Sequence, residues 1–79
     1  MATILVVEDH ENLREVIVEY LRGTGHEVKA AAGGLEGLRL LKTGSVDLVL
    51  SGRALPGADG LEILKAGRAE GLPVILITA

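Results

Sequence analysis

Four short apolar runs alternate with three segments of helical period, and this alternation leaves a chain of 79 residues few ways to fold. The runs are TILVV (3–7), EVKAAA (27–32), VDLVLS (46–51) and PVILITA (73–79). TILVV is continuous and rich in β-branched residues, the pattern of a strand buried on both faces. EVKAAA is the weakest of the four, because alanine has little strand preference. Between the runs the period changes to that of a helix. Leu13, Val16, Ile17, Tyr20 and Leu21 follow the spacing of one face over Glu11–Arg22, with Tyr20 placing its hydroxyl near the surface. Gly23 and Gly25 stop that helix. Leu35, Leu38 and Leu41 mark a second helix, ending near Gly44 and entered through the Gly33-Gly34 turn. Asp59 is placed to cap a third helix that starts near Gly60, with Leu61 and Leu64 as its stripe. Gly67 interrupts the stripe, at about 1 kcal/mol of helix propensity against alanine.

The order β-α-β-α-β-α-β predicts right-handed crossovers and a parallel sheet with helices on both faces, an α/β fold. One domain is expected over residues 1–79. A chain this short buries only about 60% of the surface its unfolded form exposes, so its stability is marginal. Hydrophobic residues make up 48% of the chain, without Phe or Trp and with one tyrosine, so the core is aliphatic. Sheets of this kind take ligands beyond the carboxyl ends of their strands. The residues there are Glu8, Asp9 and His10 after the first strand, Gly33 and Gly34 after the second, Gly52 to Asp59 after the third, and Thr78 at the end of the fourth.

Charge and composition exclude several classes. Eight basic against eleven acidic residues give a net charge of −3 without a basic cluster, which argues against nucleic acid as a partner. The absence of cysteine removes disulfides, thiolate zinc sites and thiol nucleophiles. MATILVVED lacks the basic start and long apolar region of a signal peptide, and no run approaches the ~18 apolar residues of a membrane span. The expectation is a soluble, cytoplasmic protein without a membrane partner. No nucleophile–base pair or complete phosphate loop stands out, so an enzyme is not expected.

Glu8-Asp9 admits two readings. Paired carboxylates at a strand end can hold a hard cation such as Mg²⁺. They can equally be solvated residues leading into a helix N-terminus, where negative charge is favourable, and the pair alone favours this second reading. His10, next in the chain, admits the role of a metal ligand or proton shuttle, but a residue that caps or precedes the helix is the favoured reading, and His26 in the GHEV turn reads as a solvated residue.

ILVVEDH at the start, DLVLSGRALPGADG in the middle and LPVILITA at the end together resemble the receiver domain of bacterial two-component response regulators. The resemblance runs in order over nearly the whole chain. It implies a flavodoxin-like (CheY-like) fold with strand order 2-1-3-4-5. In that family an acid pair binds Mg²⁺, an aspartate ending the third strand accepts a phosphoryl group from a histidine kinase, a Thr or Ser ends the fourth strand, and a lysine ends the fifth. By resemblance, Glu8 and Asp9 match the acid pair, Thr78 the switch hydroxyl, and Pro56, Gly57, Asp59 and Gly60 the loop after the acceptor.

Two departures alter what the resemblance implies. The acceptor position falls on Gly52, which has no oxygen to attack phosphorus. Its loss also removes a metal ligand, so no cofactor is required and Mg²⁺ binding is expected to be weak. Ser51, one residue earlier, points to the opposite face of the sheet. The family also continues beyond residue 79 with a helix, the lysine-bearing strand and a last helix. The expectation is a truncated, degenerate receiver that acts through protein contacts without aspartyl phosphorylation. The alternatives are a phosphoacceptor that uses Asp9 and an inactive fragment of a longer regulator. Strand four would then be an unprotected apolar edge, and the expected partner is a second copy joined through Val74, Ile75, Leu76 and Ile77, with a histidine kinase or another regulator as further partners.

Overall fold

The structure, a computed structural model, describes residues 1–77. Strands and helices alternate along the chain as β1 (Thr3–Val7), α1 (Glu11–Gly23), β2 (Glu27–Ala31), α2 (Gly34–Leu41), β3 (Leu48–Gly52), α3 (Gly60–Ala69) and β4 (Val74–Ile77). The sheet is parallel throughout, in the order β2-β1-β3-β4. The parallel sheet is what the alternation predicts, and the strand order is the flavodoxin-like one that the resemblance implies. β1 lies in the interior of the sheet, which explains its unbroken apolar run: Leu5, Val6 and Val7 are fully buried.

The sheet's two faces are covered unequally. On one, α2 packs on β1 and β2 and α3 on β3 and β4. They close a core of Leu5, Val7, Ala31, Leu41, Val46, Val49 and Ile63. On the other, α1 packs on β1 and β2 over Ile4, Val6, Val18 and Val28. No helix among the described residues covers β3 and β4 on that side. There Leu48 and Leu50 are half-buried and Ile75 is 53% exposed.

The helix faces differ from the leucine stripes of the sequence. α2 turns Gly34, Gly37 and Leu41 inward and leaves Leu35 exposed. α3 buries Gly60, Ile63 and Gly67 and leaves Leu61 exposed. These glycines are contact points, not interruptions. A Cβ on Gly37 would lie 2.9 Å from a Val7 methyl, and one on Gly67 would run into Val74 Cγ2. Without side chains, the helices approach the sheet more closely than leucines would allow. In α1 the expected stripe also shifts. Val18 is buried with Ile17 and Leu21 packed beside it, whereas Leu13, Val16 and Tyr20 face outward, Tyr20 at 71% exposure. The apolar residues of α1 span more than one face, and contact with Ile4, Val6 and Val28 selects the Ile17–Val18–Leu21 arc.

Other corrections are local. β3 begins at Leu48, not at Val46, because Asp47 clamps the entry: its carboxylate accepts from the Thr3 amide (2.8 Å) and its own amide donates to the Thr3 carbonyl (2.8 Å). β2 stops at Ala31 and β4 begins at Val74, after Pro73, which has no amide to give. His26 is half-buried, not solvated, and its Nδ1 accepts from the Ala2 amide at 3.2 Å. The Asp59 cap of α3 is present, with Oδ1 accepting from the amides of Leu61 (3.0 Å) and Glu62 (3.1 Å).

Candidate functional site

The parallel register brings the carboxyl ends of β1, β3 and β4 level. Val7 pairs with Ser51 and Gly52 with Ile77. Glu8 continues β1 by one bond, donating its amide to the Ala31 carbonyl at 3.0 Å. Side chains alternate along a strand, so Glu8 and Gly52 share one face and Ser51 the other. Ser51 is fully buried and donates to the Gly52 carbonyl at 2.8 Å. Glu8, Asp9, His10, Leu13, Gly52, Arg53, Ala54 and Ile77 line a cleft of about 460 Å³. A shallower hollow of about 680 Å³ adjoins it, bounded by Asp9, Arg53–Pro56, Asp59 and Leu61.

Glu8 is the buried member of the acid pair, its side chain 6% exposed. Its Oε2 accepts from the His10 amide at 3.0 Å and contacts His10 Nδ1 at 2.9 Å. Arg14 donates to the Glu8 carbonyl at 3.0 Å and ties α1 to the strand end. Asp9 lies at the cleft mouth, its Oδ1 3.5 Å from His10 Nδ1. His10 occupies the N-cap position of α1 but makes no side-chain cap; its ring turns back onto the two acids instead. The hydrogen bond to Glu8 and the charges of Asp9 and Glu8 hold the imidazole above its ordinary value of 6.5.

Gly52 faces Glu8 directly. A Cβ at this position would lie 2.9 Å from Glu8 Oε1 and 3.2 Å from Leu55 Cδ2. The loop that follows is held at both ends. The Gly60 amide donates to the Arg53 carbonyl at 2.7 Å, and a Cβ on Gly60 would lie 2.8 Å from Arg53 Cα. The Pro56 carbonyl accepts from the Gly34 amide at 3.0 Å. Gly57 takes a φ of +85°, which favours glycine, and packs against Leu35. Pro56, Gly57, Asp59 and Gly60 thus fix the loop across the ends of β3 and α2 and start α3.

Of the residues marked in the sequence, Glu8, Asp9 and Gly52 meet in one cleft, with Pro56 and Asp59 in the adjoining hollow. Val74–Ile77 form the outer strand of the described sheet, and Ile77 also reaches the cleft. Thr78 lies outside the described residues. The sequence reading placed His10 and Arg53 at this end of the sheet, but favoured for His10 a role capping or preceding the helix and gave Arg53 no role of its own; both line the cleft. The Mg²⁺ that the resemblance implies needs one or two carboxylates and room for its waters. Glu8 and Asp9 supply the carboxylates and the space above Gly52 supplies the room, so the donor set fits. Bound there, such an ion would offset the acids' negative charge.

Comparison with known proteins agrees with this geometry. A family model for the response regulator receiver domain matches residues 4–79. The transcriptional regulatory protein AfsQ1 of Streptomyces coelicolor is 39% identical over 80 residues, a match that covers all of this chain and 36% of AfsQ1. DltR of Streptococcus agalactiae, also a transcriptional regulatory protein, is 42% identical over 78 residues, covering 96% of this chain and 35% of DltR. The chain therefore spans about a third of the length of these curated relatives. The response regulator TrrA of Thermotoga maritima, solved in complex with Mg²⁺-BeF, superposes with a TM-score of 0.91 at 38% identity, over 100% of this chain and 70% of that one. A structure of the histidine kinase ThkA in complex with TrrA matches at a TM-score of 0.89. The fold, the acid pair at the end of β1 and the match over residues 4–79 together place this chain in the response regulator receiver domain family.

Proposed function

We propose that the chain is a receiver module that works by binding other proteins and takes no phosphate at position 52. The observation that carries this reading is Gly52. It ends β3 facing Glu8 with only backbone there, and it is the position that the sequence resemblance matches to the family's acceptor aspartate. Aspartyl phosphate forms when a carboxylate oxygen attacks phosphorus, and glycine supplies none. Ser51 does not replace it, being buried on the far face with its hydroxyl committed to the Gly52 carbonyl. Glu8 and Asp9 remain able to hold Mg²⁺, but with one family ligand fewer. The similarity to TrrA in its complex with ThkA supports a histidine kinase as one partner. On this reading the chain is not an enzyme.

One observation favours a second reading. Asp9 is the accessible carboxylate of the cleft and lines both hollows. Incubating the chain with acetyl phosphate and Mg²⁺, then measuring intact mass, tests both. The expected result is no added phosphoryl group. Incorporation would overturn the first reading, and its loss in Asp9→Asn would assign the acceptor to Asp9.

For a binding module the second copy is the simplest partner, and the outer edge of β4 is the surface. Val74–Ile77 are uncharged and apolar, and their only strand partner among the described residues is β3. Antiparallel pairing of this strand with its two-fold mate uses the same patch on both copies and satisfies both edges. Ile75, with Leu48 and Leu50, adds apolar area beside it. Sedimentation equilibrium is expected to show a discrete dimer that Ile75→Asp dissociates with the helical signal retained. A monomer at all concentrations would exclude the dimer.

A further inference from the structure

Among the described residues, the open half of the α1 face has a definite shape. It spans two strands, β3 and β4. Neighbouring strands lie about 4.8 Å apart, so this half is about 10 Å across, the diameter of one helix. Its floor is Leu48, Leu50 and Ile75. Its wall is α1. Leu13, Val16 and Tyr20, at 42, 63 and 71% exposure, form one arc of that helix, because positions three, four and seven apart share a face. The arc lies on the side of β3 and β4, since Leu13 lines the cleft with Gly52 and Ile77. Glu15 and Glu19 fall beyond Val16, on the outer side of the helix. Wall and floor together make one apolar step, raised over β1 and β2 and low over β3 and β4.

A step of this kind is complementary to itself. A two-fold axis parallel to the strands, midway between two such faces, turns the raised half of each copy onto the low half of the other. Each α1 then covers β3 and β4 of its mate. The two α1 helices run side by side and parallel, two strand spacings or about 10 Å apart, which is a distance at which helices pack. Under this operator Leu13, Val16 and Tyr20 each meet their own counterpart. Edge pairing of β4 turns about an axis normal to the sheet and leaves both floors bare. Area favours the stacked form: stable interfaces bury about 1,200–2,000 Å² in total, far more than two four-residue strands share along their edges. We propose that a second copy of this chain docks on the open α1 face, through a parallel α1–α1 seam of Leu13, Val16 and Tyr20, with each helix seated on the partner's β3 and β4. The inference rests on the reading of a second copy as partner, but not on the β4 edge, which the seam leaves unused.

The chain has no cysteine, so single introduced thiols report the seam cleanly. Treated with a short bismaleimide, Tyr20→Cys is expected to cross-link into covalent dimers, and Glu15→Cys, on the outer side of the same helix, to remain largely uncoupled. In sedimentation equilibrium, Val16→Glu is expected to weaken the dimer by at least about tenfold, because it buries an unpaired charge in the seam. Positions 15, 16 and 20 are exposed in the single chain, and far-UV circular dichroism confirms that the variants fold. A dimer that survives Val16→Glu, or Tyr20→Cys that cross-links no faster than Glu15→Cys, would overturn the seam and leave the edge dimer standing. A wild-type chain that is monomeric at all concentrations would remove both.

Discussion

On the α2–α3 side of the sheet, Leu5, Val7, Val49 and Ile63 are fully buried, and glycines bring helix backbone onto strand side chains. On the α1 side, only the half over β1 and β2 is closed among the described residues; Leu48 and Leu50 are half-buried and Ile75 is 53% exposed. The same β3 and β4 therefore carry a solid-like interior on one face and an open apolar surface on the other. Buried apolar packing is concentrated on the first, and the apolar surface on which the dimer is proposed lies on the second. The site sits where the two meet. Glu8 and Gly52 project to the α1 side at the strand ends, while the loop beyond Gly52 is anchored to α2 and α3.

Substitutions placed in pairs can break this contrast. The largest effect is expected at Ile63, fully buried in the closed face. Ile63→Ala should cost about 4 kcal/mol, enough to unfold a chain of marginal stability, whereas Ile75→Ala should cost about 1 kcal/mol or less at concentrations where the chain is monomeric. Urea denaturation of both variants would show it, and equal losses would erase the distinction between the faces. Two glycines sharpen it further. A Cβ on Gly34 would lie 2.5 Å from the Ala58 carbonyl carbon, backbone that cannot step aside, while a Cβ on Gly23 meets nothing within 4 Å. Gly34→Ala is expected to destabilise by about 3 kcal/mol, and Gly23→Ala to be neutral or slightly stabilising.

Helix starts provide the next pair. Asp59 caps α3 through two amides, and Asp59→Ala should cost about 1 kcal/mol in the same assay. His10 makes no side-chain cap on α1, so His10→Ala should cost clearly less. The smallest effect is the pH dependence at His10. Because the folded state holds this imidazole above 6.5, charged His10 favours the fold. That contribution is complete below 6.5 and is lost as pH rises through the folded-state value. An NMR titration of the ring should place its midpoint above 6.5, and Glu8→Gln should move it back down. A midpoint indifferent to Glu8→Gln would mean that the Glu8 bond does not hold the ring.

Element order and the Asp59 cap were legible in the sequence because each rests on a local signal, the alternation of β-branched runs with helical period and an Asx residue before a helix, whereas strand order came only from the family resemblance. The buried faces of the helices were not. Periodicity counts large apolar side chains, and in α2 and α3 the innermost positions are Gly34, Gly37, Gly60 and Gly67, which such a count treats as gaps. Leu35 and Leu61 therefore look like core and are exposed. In α1, Tyr20 fits the period, but contact with the sheet chose Val18. At the site, Glu8, Asp9 and Gly52 could be placed because strand ends converge in a parallel sheet. The turn of His10 back onto the acids could not, since it depends on how the chain leaves β1 and enters α1.

The close approach of Glu8 to Gly52 has a consequence for how this sequence can change. Any side chain introduced at 52 meets the Glu8 carboxylate first, and that carboxylate is held by the amide and ring of His10. Positions 8, 10 and 52 therefore behave as one linked trait. An aspartate introduced at 52 would set a second carboxylate beside that of Glu8, and the residues at 8 and 10 would decide whether the two can be accommodated.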